Sequence, residues 1–307
     1  MAEFELIQRY FAGLTPPAGT VRLGIGDDAA LLEPPPGHTL VMTLDTLVAG
    51  RHFFSDADPE GVGHKSLAVN LSDLAAMGAE PAWALLSLTL PQMDPPWLAA
   101  FSRGLGALAH RHGVSLVGGD SCRGPLSIAL QLTGLVPAGR ALTRGGGRPG
   151  DRVFVTGTLG DAALALRLLQ AGRSPSPALR RRLERPEPRL AEGQRLRGIA
   201  SACIDLSDGL VADLGHLCRA SGCGARLQAE AIPRSAAVRA AGDWRLPLAG
   251  GDDYELCFTV PPANLARLQA LDLELHPIGE LVEGEGVEVL DSQGRPLPHY
   301  CGFDHFS

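Results

Sequence analysis

Lysine is nearly absent from this chain: of its 27 basic residues only Lys65 is a lysine. With 34 acidic residues, the formal charge is −7 over 307 residues. Nucleic acid and membrane surfaces are usually met by a basic face, so this balance argues against both as partners while leaving room for a local patch. Any phosphate handled here must be met mainly by arginines, metal ions and backbone N–H groups. Long apolar runs are also lacking, none approaching the ~18–20 residues that cross a bilayer. The opening Met-Ala-Glu-Phe-Glu carries acid where a signal peptide carries positive charge, and the expected location is the cytoplasm. Six cysteines (Cys122, Cys203, Cys218, Cys223, Cys257, Cys301) form no Cys-x-x-Cys pair. Scattered over a chain long enough for a sizeable core, they read as buried free thiols rather than a disulfide framework.

Several catalytic signatures are missing as well. No GxxxxGK[ST] run is present, which excludes a P-loop, and no complete GxGxxG follows a strand to support a dinucleotide fold. The protein-kinase pairing of a Gly-rich loop with a strand lysine is not found, and GxSxG and HExxH are lacking, so hydrolase and zinc readings have no support. What is there is an ordinary globular balance, 45% hydrophobic and 20% charged, with 38 Gly and 24 Pro that imply many turns and loops. At ~100–200 residues per domain the length suggests two domains.

Periodicity supplies an outline. Phe4, Ile7, Phe11 and Leu14 share one face of a helix over residues 3–14. Short strands are expected at Val21–Ile25, Ala29–Leu32 and Thr39–Leu44, a helix from about Val62 to Met77, and a strand at Trp83–Leu90. Asp94 followed by Pro95 and Pro96 predicts a capped helix running to about His112. Apolar Val114–Val117 and Leu126–Val136 follow as strands. The Gly/Pro/Arg-rich stretch Pro137–Asp151 reads as a domain boundary, dividing the chain into 1–137 and 138–307. Beyond it come a strand at Arg152–Thr156, helices at Asp161–Gln170 and Leu210–Arg219, and strand-like segments at Cys203–Leu206, Leu248–Val260, Glu274–Glu280 and Val287–Leu290. The Arg-rich stretch Leu179–Arg197, with Glu184, Glu187 and Glu192 interleaved, is expected to be a solvated helix–loop–helix. Strands and helices mix in both halves, so the fold class is α/β or α+β.

The informative residues are aspartates. Asp27 and Asp28 lie in Gly-Ile-Gly-Asp-Asp, Asp45 closes the Thr39–Leu44 strand, and Asp73 lies in Asn-Leu-Ser-Asp-Leu-Ala-Ala-Met-Gly. Asp120 ends Val-Gly-Gly-Asp, Asp205 and Asp208 lie in Cys-Ile-Asp-Leu-Ser-Asp-Gly, and Asp252 and Asp253 in Gly-Gly-Asp-Asp-Tyr-Glu. Turn or cap chemistry accounts for any one of them. Six such motifs after apolar strands suggest carboxylates converging on a crevice at strand ends. Two unit charges ~5 Å apart repel by ~3 kcal/mol at an effective dielectric of 20, so such a set would demand hard cations, Mg²⁺ or Ca²⁺. Mg²⁺ in turn commonly accompanies substrate phosphates. Phosphate could meet Thr143-Arg144-Gly145-Gly146-Gly147-Arg148, unless that run is only a flexible linker. It could also meet the helix start at Gly157–Asp161. His52 could contact an anion, though a lone histidine is more often an ordinary surface or core residue. Lys65 reads as a helix-start residue.

Taken in order, Gly-Ile-Gly-Asp-Asp-Ala-Ala, Thr-Leu-Asp-Thr-Leu-Val-Ala-Gly-Arg-His-Phe, Gly-His-Lys-Ser-Leu-Ala-Val-Asn-Leu-Ser-Asp-Leu-Ala-Ala-Met-Gly-Ala, Gly-Gly-Asp-Ser, Ile-Asp-Leu-Ser-Asp-Gly-Leu and Gly-Gly-Asp-Asp-Tyr-Glu-Leu resemble the thiamine-monophosphate kinase family, from about residue 4 to the closing Gly-Phe-Asp-His-Phe. The resemblance implies the two-domain fold of the aminoimidazole-ribonucleotide synthetase superfamily. Its N-terminal α/β domain would carry the metal and ATP site and pair its sheet across a homodimer, and its second domain would be α+β. It implies a phosphotransferase that converts ATP and thiamine monophosphate into ADP and thiamine diphosphate by direct in-line transfer. Carried over, the Mg²⁺ ligands would be Asp27, Thr43, Asp45, Asp73, Asp120, Asp205 and Asp208, with the Leu44 carbonyl. Of these, Asp45, Asp73, Asp120 and Asp205 would be central to catalysis. ATP would lie against Gly119, Asp120, Arg144 and Ser207, and thiamine monophosphate against His52, Asp252 and Phe303. Leu44 stands where the family often has a hydroxyl residue, and Asp252 where many relatives carry Glu. The alternatives are another ATP-dependent kinase or synthetase of the superfamily, or a non-catalytic nucleotide- or metal-binding scaffold.

Overall fold

The structure is a computed structural model that describes residues 3–16, 18–298, 300 and 302. The chain divides into two units, one taking the residues up to Leu74 together with Ala79–Gly139, the other Ala75–Gly78 and the chain from Arg140 onward. The first unit contains α1 (Glu3–Tyr10), β1 (Val21–Leu23), β2 (Leu31–Leu32), β3 (His38–Val48), α2 (Pro59–Ala76), β4 (Glu80–Leu90), α3 (Pro95–His112), β5 (Ser115–Arg123) and β6 (Ser127–Pro137). α2 runs two residues past Leu74 into the second unit's share of the chain.

Its sheet has the order β3-β6-β4-β5. β3 pairs antiparallel with β6 over its whole length, from His38 opposite Pro137 to Val48 opposite Ser127. The β4–β6 pair is antiparallel and the β4–β5 pair parallel. Full-length pairing carries β3 four residues past Leu44, so Asp45 lies within the strand and not at its end. Asp120 likewise lies inside β5. Side chains alternate across a strand, and one face of β3 presents Thr43, Asp45 and Leu47 toward α2. On the other face, the β1–β2 ribbon lays Val21 and Leu32 near Trp83 and Leu135. The same face leaves Leu40, Met42 and Leu44 of β3 and Leu85 of β4 exposed, Met42 at 66%.

α2 is buried on all sides, polar residues included: His64, Lys65, Ser66, Asn70 and Ser72 are each less than a tenth exposed. The lone lysine is therefore interior, well inside the helix, and not at the helix start. α3 follows its sequence cues: Asp94 Oδ1 accepts from Trp97 N at 3.1 Å, and Gly113 ends the helix in the left-handed region. The two helices meet backbone to backbone. A Cβ on Gly63 would lie 2.1 Å from Phe101 O, and one on Gly104 would lie 1.9 Å from Glu60 O.

The second unit contains β7 (Arg152–Thr156), α4 (Asp161–Gln170), α5 (Pro177–Glu184), α6 (Leu190–Leu196), β8 (Ala202–Asp205), α7 (Leu210–Ser221), β9 (Gly224–Gln228), α8 (Ala236–Ala241), α9 (Arg245–Ala249), β10 (Leu256–Val260), α10 (Leu265–Gln269), β11 (Leu275–Val282) and β12 (Val287–Leu290). Its sheet order is β12-β9-β11-β7-β10-β8, antiparallel except for β12 beside β9. α7 packs on it through Leu210, Leu214, Leu217 and Cys218, in one core with Val153, Ile204, Leu227 and Ile278. The Leu248–Val260 segment is a strand only from Leu256. Before it lie α9 and a loop in which Gly251, Asp252 and Tyr254 have φ of 68°, 59° and 51°, values incompatible with an extended strand. The five described cysteines are free thiols, four of them buried. Among the described residues, no helix is long and apolar enough to cross a membrane.

Gly104→Ala should therefore destabilise the protein by on the order of 3 kcal/mol, since the new methyl meets backbone that cannot swing away. Urea unfolding of the variant and parent checks this.

Candidate active site

In the first unit, Thr43 and Asp45 share a face of β3, and Asn70 and Asp73 lie three residues apart on α2, hence on one side of that helix. Thr43 Oγ1 donates to Asp73 Oδ2, and Asp45 N donates to Asn70 Oδ1 at 3.2 Å. Burial, then the negative charge of Asp73, pushes the Asp45 carboxyl up to about 7. Asp27 is exposed and accepts from Asp28 N at 2.8 Å. Asp120 is exposed too, in the register row of Ser87, Ala129 and Thr46, one step out of phase with the row of Asp45. Gly119 beside it has φ of 147°, and a Cβ there would lie 1.9 Å from Leu86 O, so only glycine lets β5 approach β4 at this point. His52 follows the turn after β3. Its Nδ1 accepts from Val48 N at 3.0 Å, which sets the neutral ring with its proton on Nε2.

In the second unit, β8 ends at the buried Asp205, and the turn Leu206–Gly209 leads into α7. Asp213, one turn into α7, folds back and accepts from Asp208 N and Gly209 N, both at 3.0 Å. Burial and then the charge of Asp208 raise its carboxyl to about 7, against the pull of these N–H groups. The 250–255 loop lies along this turn. Asp252 N donates to Ser207 O (2.9 Å), Tyr254 N to Leu206 O (2.8 Å), and Leu206 N to Glu255 O (2.9 Å). Tyr254 Oη donates to Asp252 Oδ1 at 2.9 Å. Asp205, Ser207, Asp208 and Asp252 are thus gathered by two loops zipped through their backbones.

The run Thr143–Arg148 is no free linker: Cys203 N donates to Thr143 O (2.9 Å), and Ser221 Oγ accepts from Gly147 N and donates to Arg144 O, both at 3.1 Å. The start of α4 is not open to an outside anion. Its Gly160 N donates to both oxygens of the protein's own Asp253, at 2.9 and 3.2 Å. Phe303 lies outside the described residues. Gly302 before it abuts the Asp208 turn, an added Cβ falling 2.8 Å from Asp208 O. Among the described residues, no three His, Cys, Asp or Glu side chains gather closely enough to hold a metal by themselves. The full convergence of carboxylates expected from the sequence is represented in the first unit by Asp45 and Asp73, with the Thr43 hydroxyl.

Comparison with known proteins bears on what these loops serve. Residues 26–136 match the family described as AIR synthase related protein, N-terminal domain, and residues 148–292 match its C-terminal domain. The chain is 49% identical to the thiamine-monophosphate kinase of Salmonella typhimurium over 320 residues, covering 99% of this chain and 98% of that one. The crystal structure of thiamine-monophosphate kinase from Stenotrophomonas maltophilia superposes with a TM-score of 0.87 at 46% identity, covering 97% and 98% of the two chains. The chain belongs to the thiamine-monophosphate kinase family. A further solved structure, AaThiL complexed with AMPPCP and TMP, matches with a TM-score of 0.80 at 33% identity, covering 99% of this chain and 96% of that one.

This member of the thiamine-monophosphate kinase family has a feature that its motifs alone did not reveal. Glu255, at the end of Gly-Gly-Asp-Asp-Tyr-Glu, has no exposure to water. Arg189 Nε and Nη2 donate to its two oxygens at 2.6 and 2.7 Å, Arg182 Nη2 donates at 2.8 Å, and Thr156 Oγ1 at 2.6 Å. The Arg-rich arm is therefore solvated only in part: Arg180 and Arg181 face water, while Arg182 and Arg189 turn inward. A signal was available, because a glutamate directly before the apolar strand Leu-Cys-Phe-Thr-Val must be buried, and a buried carboxylate needs a partner. Burial alone would raise the Glu255 carboxyl. The Arg189 hydrogen bonds, the charges of Arg189 and Arg182, and the Thr156 hydroxyl outweigh it and hold the group below its ordinary value.

Arg189→Met should destabilise the fold by about 3 kcal/mol, toward the low end for a broken buried pair because Arg182 remains. A depressed carboxyl contributes stability above its unfolded value of 4.5 and loses it as the pH falls through the lowered folded value. Urea unfolding between pH 3 and 7 should show a shallower acid limb in the variant than in the parent.

Proposed function

We propose that this chain transfers the terminal phosphoryl group of ATP to thiamine monophosphate, giving ADP and thiamine diphosphate in thiamine biosynthesis. The observation that carries the reading is the end-to-end match to thiamine-monophosphate kinases at up to 49% identity. A relative of the same fold that takes up AMPPCP, an ATP analogue, together with TMP supports it.

Transfer between two phosphates brings anionic groups together, so catalysis consists mainly of positioning and charge compensation. Thr43, Asp45 and Asp73 offer hydroxyl and carboxylate oxygens only, a hard donor set that suits Mg²⁺. We place the cation beside Asp45, whose carboxyl burial and the charge of Asp73 push up to about 7. Asp27, Asp120, Asp205, Asp208 and the Leu44 carbonyl complete the proposed set. When bound, Mg²⁺ would neutralise phosphate charge. In our reading Gly119, Asp120, Arg144 and Ser207 orient ATP, while His52 through its Nε2–H, Asp252 and Phe303 orient thiamine monophosphate. The acceptor oxygen is already ionised at neutral pH, so we assign no general base and no covalent enzyme intermediate. We further propose a cytoplasmic homodimer formed through the N-terminal domain, taken as residues 1–137, whose sheet leaves Leu40, Met42, Leu44 and Leu85 uncovered.

With ATP and Mg²⁺, the purified protein should form thiamine diphosphate from thiamine monophosphate and none from thiamine. Asp45→Asn and Asp73→Asn should each lower turnover by on the order of 10²-fold or more without loss of fold by circular dichroism. Near-normal turnover in both would remove the metal role, and a trapped phosphoenzyme would remove direct transfer. Nucleotide binding without product would leave the scaffold reading or another acceptor. Met42→Glu should convert a dimer to a monomer by size exclusion with light scattering; a parent already monomeric overturns the pairing.

A further inference from the structure

The solvent side of α7 carries His216 and Arg219, three residues apart and so neighbours on the helix surface. Arg219 Nη2 donates to His216 Nδ1 at 2.9 Å, which sets a neutral imidazole with its remaining proton on Nε2. A third basic group comes from the Gly-rich loop. Ser221, the last residue of α7, holds Arg144 O and Gly147 N, and a Cβ added at Gly145 would lie 3.1 Å from Ala220 O. The loop is pinned to the helix, and Arg144 stands on the same side as His216. The charges register one another: partial desolvation, then Arg219, then Arg144 hold the imidazole below its ordinary value, opposed by Asp208.

Some surface arginines face carboxylates, as in Arg152–Glu280, Arg167–Asp243 and Arg226–Glu288, while others such as Arg123 and Arg239 meet backbone carbonyls. Among the described residues, neither Arg144 nor Arg219 has a carboxylate within ion-pair distance. In a chain of charge −7, two arginines without an acid, beside a neutral ring N–H, form a receptor for an anion from outside. The stripe is long. From Gly209, at the start of α7, to Arg219 is ten residues, about 15 Å along the axis, with the Arg219 side chain leaning back toward the start. A single phosphate does not span that distance, whereas the polyphosphate and ribose of a nucleotide do.

We propose that Arg219 and His216 bind the polyphosphate of the nucleoside triphosphate alongside Arg144, which makes both residues part of the donor site. The proposal rests on the nucleotide role given above to Arg144 and Ser207. Arg219 supplies a charged fork for phosphate oxygens. The Arg219–His216 bond fixes the ring so that Nε2–H is the donor.

The test is calorimetric titration of the intact enzyme with AMPPCP and Mg²⁺, alongside steady-state kinetics for both substrates. Arg219→Ala and His216→Ala should each weaken AMPPCP binding and raise KM for ATP roughly tenfold or more, the loss expected for hydrogen bonds to charged groups. KM for thiamine monophosphate should stay within about twofold, and Arg219→Lys should recover part of the loss. Arg226→Ala, an exposed arginine on β9, should change neither constant. Unchanged AMPPCP affinity in both alanine variants, with Arg144→Ala still weakened, overturns this proposal and keeps the nucleotide site. An effect confined to thiamine monophosphate also overturns it. If Arg144→Ala binds AMPPCP as tightly as the parent, the nucleotide reading itself fails.

Discussion

A carboxylate sealed from water must be compensated fully or not ionise at all. Glu255 meets that demand with two arginines and a threonine hydroxyl. The consequence reaches well beyond one ion pair. Glu255 closes a loop in which Asp252 and Tyr254 hold left-handed backbone, a conformation that costs on the order of 1–3 kcal/mol per non-glycine residue. That loop can persist only where its ends are fixed. The end toward β10 is fixed by the clamp, and the middle by hydrogen bonds to Leu206 and Ser207. The Arg-rich arm is thus the anchor of the loop that carries Asp252 and, through it, of the turn that carries Ser207 and Asp208.

Buried negative charge is the second theme, and its cost shows in both units. In the second unit Asp213 and Asp253 accept from backbone N–H groups and still have their carboxyls raised by burial, whereas Glu255, paired with arginines, is held low. In the first unit Asp73 accepts from the Thr43 hydroxyl, and burial with the charge of Asp73 pushes the Asp45 carboxyl up to about 7. Burial pushes Asp45 and Asp213 toward neutrality alike, and pairing with arginine reverses that push at Glu255.

Local features were legible in the sequence because their causes are local. Asp94-Pro-Pro announced α3, and Gly113 ended it, since a cap depends on residues within one turn. The first strands and α2 were also readable, though the pairing of β3 with β6 set the true length of β3 and moved Asp45 from a strand end to its interior. Other readings failed for non-local reasons. The start of α4 looks open to an anion until Asp253, some ninety residues on, is seen to fill it. The arm at Leu179–Arg197 looks solvated because its acidic and basic residues alternate, and only the buried Glu255 turns two of its arginines inward.

The sequence by itself determined the family, the cap that opens α3, and which aspartates lie beside small-residue turns. These follow from residue identity and short spacing. Tertiary structure alone decided which acids meet which partners: Asp73 with Thr43, Asp213 with the Asp208 turn, Glu255 with Arg182 and Arg189, and Arg219 with His216 beside Arg144. Electrostatic compensation depends on distance in space, and chain spacing carries no record of that distance once the backbone has turned.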